Sequence, residues 1–226
     1  NGPDTAEPAR RRTERDGMNV QLLQHTPEPE LTVAIAARLC YSDSDISDLK
    51  DNAEPEKDRQ LIRKVMGMGH TSVAEHVSFT FGVEGISRVT SHQLVRHRIG
   101  ASYSQQSQRY VDSGNNFMVI PPSILDSMDA YTVYAAALRQ AQDAYTKLTE
   151  LGIPPEDARY LLPNATETKI IITMNARELL HFFKHRCCDR AQWEIRAMAN
   201  KMLQLCKQAA PTLFETAGAA CVSGPC

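Results

Sequence analysis

The chain has 226 residues, a formal net charge of -2 at pH 7 and a pI near 6.4. This near-neutral balance argues against general electrostatic adhesion to nucleic acid or to membranes, so any anion-binding site must be local. No stretch approaches the roughly 20 apolar residues that span a bilayer, and the first residues lack the apolar core of a signal peptide, so we expect a cytoplasmic protein.

Composition divides the chain into three parts. Residues 1–17 are polar and charged and lack aromatic side chains, so we expect a disordered leader or an expression remnant. Residues 18–216 have the length of a single domain, for which roughly 100 to 200 residues is usual. Residues 217–226 are mostly small and include Gly and Pro, so we expect a mobile tail.

The first predicted elements alternate between strand and helix. Residues 20–23 predict a short strand, and apolar residues at helical spacing from Leu31 predict a helix that ends near Tyr41. Residues 42–55 are acidic and rich in serine, which favours a loop. The next residues predict an amphipathic helix that ends at 67–69, so that His70 follows a helix end.

A half-buried strand is predicted next, because apolar and polar residues alternate over 77–83. Gly85 is expected to end this strand. Residues 87–98 suit a helix that closes with the sequence Arg-His-Arg, and residues 102–110 are expected to form a polar loop.

The second half of the chain adds two strands and four helices. We predict them in chain order as strand, long Ala-rich helix, short helix, β-branched strand and two helices, at residues 117–120, 123–151, 156–162, 168–174, 176–186 and 190–208. Few, separated strands among many helices predict an α/β fold of the mixed α+β kind.

Positive charge is concentrated without any balancing acid between Ser87 and Val111. This stretch contains no Asp or Glu but includes Arg88, Arg96, Arg98 and Arg109. Guanidinium groups bind phosphate bidentately, and the neighbouring hydroxyls and amides can contact the edge of a polar ring. The stretch therefore predicts a nucleotide site, with a solvated basic loop as the alternative.

The two arginines of the Arg-His-Arg sequence would diverge on the predicted helix. Successive helical residues turn by about 100 degrees, so Arg96 and Arg98 would point to nearly opposite sides. Either one of them meets a neighbouring subunit, or the site is wide enough for two different ligands. Both outcomes suggest a composite site.

Two other functions use residues of the same chain. A non-catalytic nucleotide- or RNA-binding module would use the basic stretch alone. A metal-dependent hydrolase would use His181 and His185, which lie one helical turn apart, with Cys187 or Cys188 nearby. The pair lacks the His-Glu-x-x-His arrangement of a hydrolytic zinc helix, and neither function accounts for His70.

Several separated motifs resemble the family of flavin-dependent thymidylate synthases. The signature runs from Gln93 through Arg96-His97-Arg98 to Arg109-Tyr110. The other motifs keep the family's order along the chain and are Gly69-His70-Thr71-Ser72 with Glu75-His76, Leu162-Pro163, Asn175-Ala176-Arg177, and Arg186 before Ala191-Gln192-Trp193-Glu194. Together the motifs cover the chain from Met18 to about Phe214.

The resemblance implies a fold and a reaction. The fold would be one domain with a small, mostly antiparallel sheet flanked by helices. The reaction would be reductive methylation of deoxyuridine monophosphate (dUMP) to thymidine monophosphate (dTMP), a methyltransferase step of nucleotide biosynthesis. Methylenetetrahydrofolate would supply the carbon, and NADPH would reduce FAD, which carries the hydride. The family assembles as a homotetramer with sites shared between subunits, and it needs no nucleic acid, membrane, metal or enzymic cysteine nucleophile.

The resemblance also assigns site residues. FAD would be bound by His70, Ser72, Glu75, Arg96, His97, Arg98, Asn175, Arg177 and His181. The nucleotide would be bound by Gln93, Arg96, Gln105, Gln106, Ser107, Gln108, Arg109 and Arg186. Arg186, His70 and Ser107 would be catalytic, with Arg186 stabilising the charge that develops on the pyrimidine.

Two features of the chain bear on this assignment. Eight residues separate Arg98 from Ser107 where the family pattern has seven, as though Gly100 were inserted. Glycine can absorb such a bulge by adopting a positive φ. Cys187 and Cys188 follow Arg186, whose positive charge could lower a thiol pKa and make the thiol nucleophilic. We nevertheless expect these cysteines to serve in packing or to lie at the surface. None of the six cysteines has zinc-finger spacing, so we expect reduced thiols.

Overall fold

The computed structural model describes residues 17–110 and 117–222. Most of the expected leader at 1–17 and the last four residues of the expected tail at 217–226 lie outside the described residues. Within residues 17–110 and 117–222, no helix is long and apolar enough to cross a membrane.

The described residues form one antiparallel sheet with the strand order β1-β2-β4-β3. The strands are β1 (Asn19–His25), β2 (Ser78–Ser87), β3 (Ala101–Gln105) and β4 (Glu167–Asn175). Alternate residues of β2 are buried from Phe79 to Val83, as the sequence pattern predicts. A small antiparallel sheet with many helices confirms the mixed α/β fold expected from the sequence.

Helices account for most of the other described residues. They are α1 (Pro29–Leu39), α2 (Ile46–Asp51), α3 (Pro55–Gly67), α4 (Arg88–Leu94), α5 (Pro122–Leu125), α6 (Met128–Glu150), α7 (Pro155–Ala158), α8 (Ala176–Arg186) and α9 (Trp193–Ala209). 3-10 helices occupy Thr71–His76, Arg159–Leu161 and Ala220–Val222. α8 has the predicted bounds because Asn175 caps it, its side-chain oxygen accepting from the backbone N–H of Glu178 at 2.9 Å.

Residues group into two compact units. Of the described residues, the α8 unit contains Val20–Val83, Leu94–Ser104 and 171–222, and the α6 unit contains 17–19, Glu84–Gln93, 105–110 and 117–170. Strands β2 and β4 each contribute residues to both units. The single domain expected over 18–216 stays a prediction.

Aromatic side chains form the core of the α8 unit. Phe79 of β2, Phe183 of α8 and Phe214 are fully buried, with ring centroids 5.4 Å apart for Phe79 and Phe214 and 6.1 Å apart for Phe183 and Phe214. Burial of one such side chain contributes roughly 1.5–3 kcal/mol. The core therefore fixes one face of α8, while Arg177 and His181 on the same helix stay exposed.

The α6 unit is organised around its longest helix. The helix predicted over 123–151 is divided into α5 and α6 because Ser127 caps α6, accepting from the backbone N–H of Ala130 at 3.3 Å. The Tyr134 hydroxyl donates to the carbonyl of Val119 at 2.9 Å. α6 buries Tyr145 and leaves its other side chains half-buried or exposed.

The helix predicted over 87–98 is shorter than expected. α4 ends at Leu94, so the Arg-His-Arg sequence follows the helix. The Tyr103 hydroxyl lies 3.1 Å from the carbonyl oxygen of Leu94 and 2.7 Å from that of His97, and it satisfies acceptors that a longer helix would have paired internally. The prediction that Arg96 and Arg98 diverge on a helix is therefore wrong, since neither residue is helical.

Local contacts change other predicted boundaries as well. Gly85 adopts a φ of 75° inside β2 and does not end the strand. The expected loop at 42–55 contains α2, and the expected polar loop at 102–110 begins within β3. The strand predicted over 117–120 is reduced to a single bridge between Met118 and Thr166.

Candidate active site

The Arg-His-Arg segment is held beside the first turn of α8. The backbone N–H of Asn175 donates to the carbonyl of Gly100 at 2.9 Å. Gly100 has a φ of 68°, the left-handed conformation expected for the inserted glycine. Its α-carbon faces the Asn175 carboxamide with no room for a side chain between them. The glycine thus allows the loop after α4 to approach α8 closely.

Three side chains of the α8 unit form a chain of hydrogen bonds. Nδ1 of His97 lies 2.9 Å from Oε1 of Glu178, and Nε2 of the same ring lies 3.1 Å from Nε of Arg186. His97 and Glu178 are both buried, while Arg186 is half-buried. The terminal nitrogens of Arg186 have no partner among the described residues, so they are available to a ligand.

The environment of His97 keeps its ring neutral. Burial lowers the pKa of His97 to about 4, and the positive charge of Arg186 acts in the same direction. Burial also raises the pKa of the neighbouring Glu178 carboxyl. The ring packs edge-on against Phe182, with the centroids 5.0 Å apart. His97 was expected to contact FAD, and in the structure both of its ring nitrogens have protein partners.

The histidines of α8 are not arranged to bind a metal ion. The rings of His181 and His185 pack edge to face with their centroids 4.5 Å apart. In the described part of the chain, the ligand atoms that lie within 4.8 Å of one another belong to His97, Glu178 and His181. Both nitrogens of His97 are already bonded, and the Arg186 cation beside Nε2 would repel a metal ion. The geometry gives the hydrolase alternative no support, and the expected absence of a metal stays a prediction.

Several residues expected to bind FAD lie at the surface of the α8 unit. His70 follows α3, and Ser72 and Glu75 lie on the 3-10 helix after it. Glu75 forms an ion pair with Arg177 in the first turn of α8. The structure thus joins two of the expected residues that are 102 positions apart in the sequence.

Two guanidinium groups of the same unit lack acidic partners among the described residues. Arg96 and Arg98 are exposed, and no carboxylate in that part of the chain pairs with either side chain. Because guanidinium groups bind phosphate oxygens bidentately, this donor set fits a cofactor that contains a diphosphate.

Gln105 of the α6 unit has a fixed orientation. Its side-chain Nε2 donates to Oγ of Ser91 at 3.0 Å and to Oγ1 of Thr168 at 3.1 Å. Both amide hydrogens are therefore used within the protein. Gln93, Gln106 and Gln108 are half-buried in the same unit.

Ser107 and Arg109 form a turn after β3. Oγ of Ser107 accepts from the backbone N–H of Arg109 at 3.1 Å, and the hydroxyl hydrogen of Ser107 stays available for donation. The Arg109 guanidinium lies 2.7 Å from Glu156, with about half of each side chain exposed (49% and 47%). Such a pair is weak in water, so an incoming phosphate can compete for Arg109.

Two arginines of the α6 unit interact electrostatically. Burial lowers the pKa of the Arg88 guanidinium, and the positive charge of Arg159 lowers it further. Arg159 did not stand out in the sequence, because it follows two acids in a short helix and lies outside the acid-free stretch. Glu178 and Tyr103 were also missed, since their partners are known only from the fold.

Sequence comparison assigns the family. The family model described as "Thymidylate synthase complementing protein" matches residues 21–212. A protein of Geobacter sulfurreducens is 56% identical over 211 residues, covering 92% of this chain and 90% of that protein. A protein of Clostridium tetani is 48% identical over 226 residues, covering 93% and 90%. Both are named flavin-dependent thymidylate synthase. This chain belongs to the flavin-dependent thymidylate synthase family.

A solved structure has the same fold as this family member. It is a UMP/dUMP methylase of Streptomyces cacaoi bound to 5-bromo-dUMP, with a TM-score of 0.75 and 27% sequence identity. The match covers 88% of this chain and 93% of that one. The family resemblance inferred from the motifs is therefore confirmed.

The adjacent cysteines of this family member have no nucleophilic environment. Burial raises the pKa of the Cys187 thiol to about 11, so the thiolate is scarce at neutral pH. Cys188 is buried, and its sulfur lies 3.8 Å from that of Cys221.

Proposed function

We propose that this protein converts dUMP to dTMP by reductive methylation, with methylenetetrahydrofolate as carbon donor and NADPH-reduced FAD as hydride carrier. The observation that carries the proposal is the match to named family members over nine-tenths of the chain, together with cationic groups at the motif positions. The cytoplasmic location expected from the sequence stays a prediction.

FAD would be held by the α8 unit. The residues proposed for it are His70, Ser72, Glu75, Arg96, His97, Arg98, Asn175, Arg177 and His181. Arg96 and Arg98, which lack acidic partners among the described residues, suit the diphosphate. When bound, the flavin supplies hydride-transfer chemistry that side chains lack.

The nucleotide would be bound by residues of the polar run and by Arg186. The proposed set is Gln93, Arg96, Gln105, Gln106, Ser107, Gln108, Arg109 and Arg186. The Ser107 hydroxyl and the Arg109 guanidinium can bind a phosphate, and Arg88 and Arg159, whose charges interact with each other, add positive charge to the α6 unit.

Arg186, His70 and Ser107 would act directly in the reaction. The terminal nitrogens of Arg186 would donate to the pyrimidine and stabilise negative charge that develops on it. His70 would orient the flavin ring, and Ser107 would hold the nucleotide in place. A cysteine nucleophile is not needed, and the raised pKa of Cys187 is consistent with that.

Self-association would complete the sites as a homotetramer. α5 and α6 expose a largely apolar groove lined by Ile124, Asp129, Ala130, Val133, Tyr134 and Ala137. Val133 is 71% exposed, and Met128 at the start of the helix is 78% exposed. Another copy of the chain would cover this apolar surface and add its own residues to the site.

The proposal is tested on the purified protein. We expect a yellow protein that forms dTMP, detected by mass spectrometry, only when dUMP, methylenetetrahydrofolate and NADPH are all present. His70→Ala should release flavin, whereas Arg186→Ala should retain flavin and bind dUMP weakly. A colourless protein, or NADPH oxidation without any dTMP, would contradict the proposed function.

A further inference from the structure

The protonation of His97 follows from its partners. A guanidinium group can only donate hydrogen bonds, so Nε2 of His97 must accept from Nε of Arg186. A neutral imidazole carries one hydrogen, which is then on Nδ1 and points to the Glu178 carboxylate. The contacts on both sides thus select one tautomer.

Other contacts fix where the two residues lie. The Tyr103 hydroxyl binds the carbonyl of His97, and Phe182 packs edge-on against the ring. Asn175 binds the backbone N–H of Glu178 and sets the start of α8. Contacts other than the Glu178 carboxylate therefore hold the ring in position, and that carboxylate provides the acceptor that favours hydrogen on Nδ1.

We propose that Glu178 is a positioning residue for Arg186, acting through His97. By accepting from Nδ1, Glu178 keeps Nε2 free of hydrogen, so that Nε2 can accept from Arg186 and aim its terminal nitrogens at the nucleotide. Without an acceptor at Nδ1 the ring can move its hydrogen to Nε2, which would then face the Arg186 donor. The inference rests on the proposed function for the identity of the ligand that Arg186 binds.

The test is a double-mutant cycle on the flavin-loaded protein, with dUMP affinity measured by calorimetry. Glu178→Leu removes the acceptor at similar size, whereas Glu178→Gln keeps an amide oxygen that can accept from Nδ1. We expect Glu178→Leu to weaken dUMP binding by about tenfold or more, because the His97 hydrogen then moves to Nε2 and opposes the Arg186 donor, and Glu178→Gln to stay within about threefold of wild type. In an Arg186→Ala background, Glu178→Leu should cause no further loss.

Two results would overturn the inference. One is unchanged dUMP affinity in Glu178→Leu while Arg186→Ala weakens it. The other is a full additional loss in the double variant, since a merely structural role of Glu178 would be independent of Arg186. Unchanged affinity in Arg186→Ala alone is distinguishable, because it would refute the proposed nucleotide contact as well. If Glu178→Leu does not accumulate in folded form, Glu178→Met, also unable to accept, replaces it in the cycle.

Discussion

The α-carbon of Gly100 faces the Asn175 carboxamide so closely that a β-carbon on Gly100 would lie less than 3.0 Å from three atoms of that side chain. Gly100→Ala should therefore destabilise the protein by roughly 2–4 kcal/mol, from left-handed backbone strain and from the clash together. The free energy of unfolding from urea denaturation measures this effect.

Alanine substitutions at two other glycines distinguish the cost of backbone strain from the cost of a steric clash. Gly152 has a φ of 85°, and a β-carbon there would have no neighbouring atom within 4 Å, so Gly152→Ala should cost only the strain, about 1 kcal/mol. Gly67 has open space and no positive φ, so Gly67→Ala should be neutral or slightly stabilising. If Gly100→Ala lowered the free energy of unfolding no more than Gly152→Ala, the clash with Asn175 would not contribute to the destabilisation.

His97 should make the protein sensitive to acid. Its pKa falls from 6.5 to about 4 on folding, so between these values the unfolded chain binds a proton that the folded chain does not. The free energy of unfolding should then decrease as the pH falls through this window, by up to about 3 kcal/mol. Urea denaturation at about pH 7, 5.5 and 4.5 should show a smaller decrease for His97→Gln than for wild type. Equal pH dependence in both proteins would refute the lowered pKa.

Replacing Cys187 and Cys188 with serine should leave turnover within about twofold of wild type. Burial raises the pKa of Cys187 to about 11, so little thiolate exists at neutral pH to act as a nucleophile. The rate of dTMP formation measures the effect, and the flavin spectrum shows whether the variant is loaded. Lost turnover in a loaded, folded variant would assign a catalytic role to one of the thiols.

Arg109 and Glu156 should influence nucleotide binding in opposite directions. Arg109→Ala removes a guanidinium that can bind phosphate and should weaken dUMP binding about tenfold. Glu156→Gln releases Arg109 from its exposed ion pair and should strengthen dUMP binding a few-fold. Calorimetry at low and high salt tests both variants. Parallel changes in the two variants would mean that Arg109 does not bind the anion.

The groove on α6 should control assembly. Val133→Glu places a charge in the exposed apolar surface and should shift the protein toward smaller species, which light scattering after gel filtration detects. Gln140→Glu adds the same charge to an exposed position of the same helix outside the groove and serves as the control. Equal shifts in both variants would argue against a specific interface.

The sequence predicted elements whose signals are local. β4 follows from its concentration of β-branched residues, and α8 begins where Asn175 provides a cap. The end of α4 was mispredicted because Tyr103, nine residues beyond Leu94, takes over a helical carbonyl. The composition of residues 87–98 alone cannot indicate that contact.

In the candidate site, too, the sequence revealed residues that belong to motifs and missed one whose role depends on a distant contact. Family motifs identified Arg186 and His97, but not Glu178, whose carboxylate meets His97 across 81 residues of sequence. On α8 alone, an acid in the first turn is explained by the helix dipole. Its second role emerges only when the segment after α4 packs against the helix.

Because Gln105 donates both amide hydrogens to Ser91 and Thr168, the side-chain polar atom that it still offers to a ligand is the carbonyl oxygen. Whatever binds at that position must bring an N–H or O–H group. A ligand edge that presents only acceptors would meet the lone pairs of the Gln105 oxygen and be disfavoured, whereas an N–H such as the one at ring position 3 of uracil would be accepted.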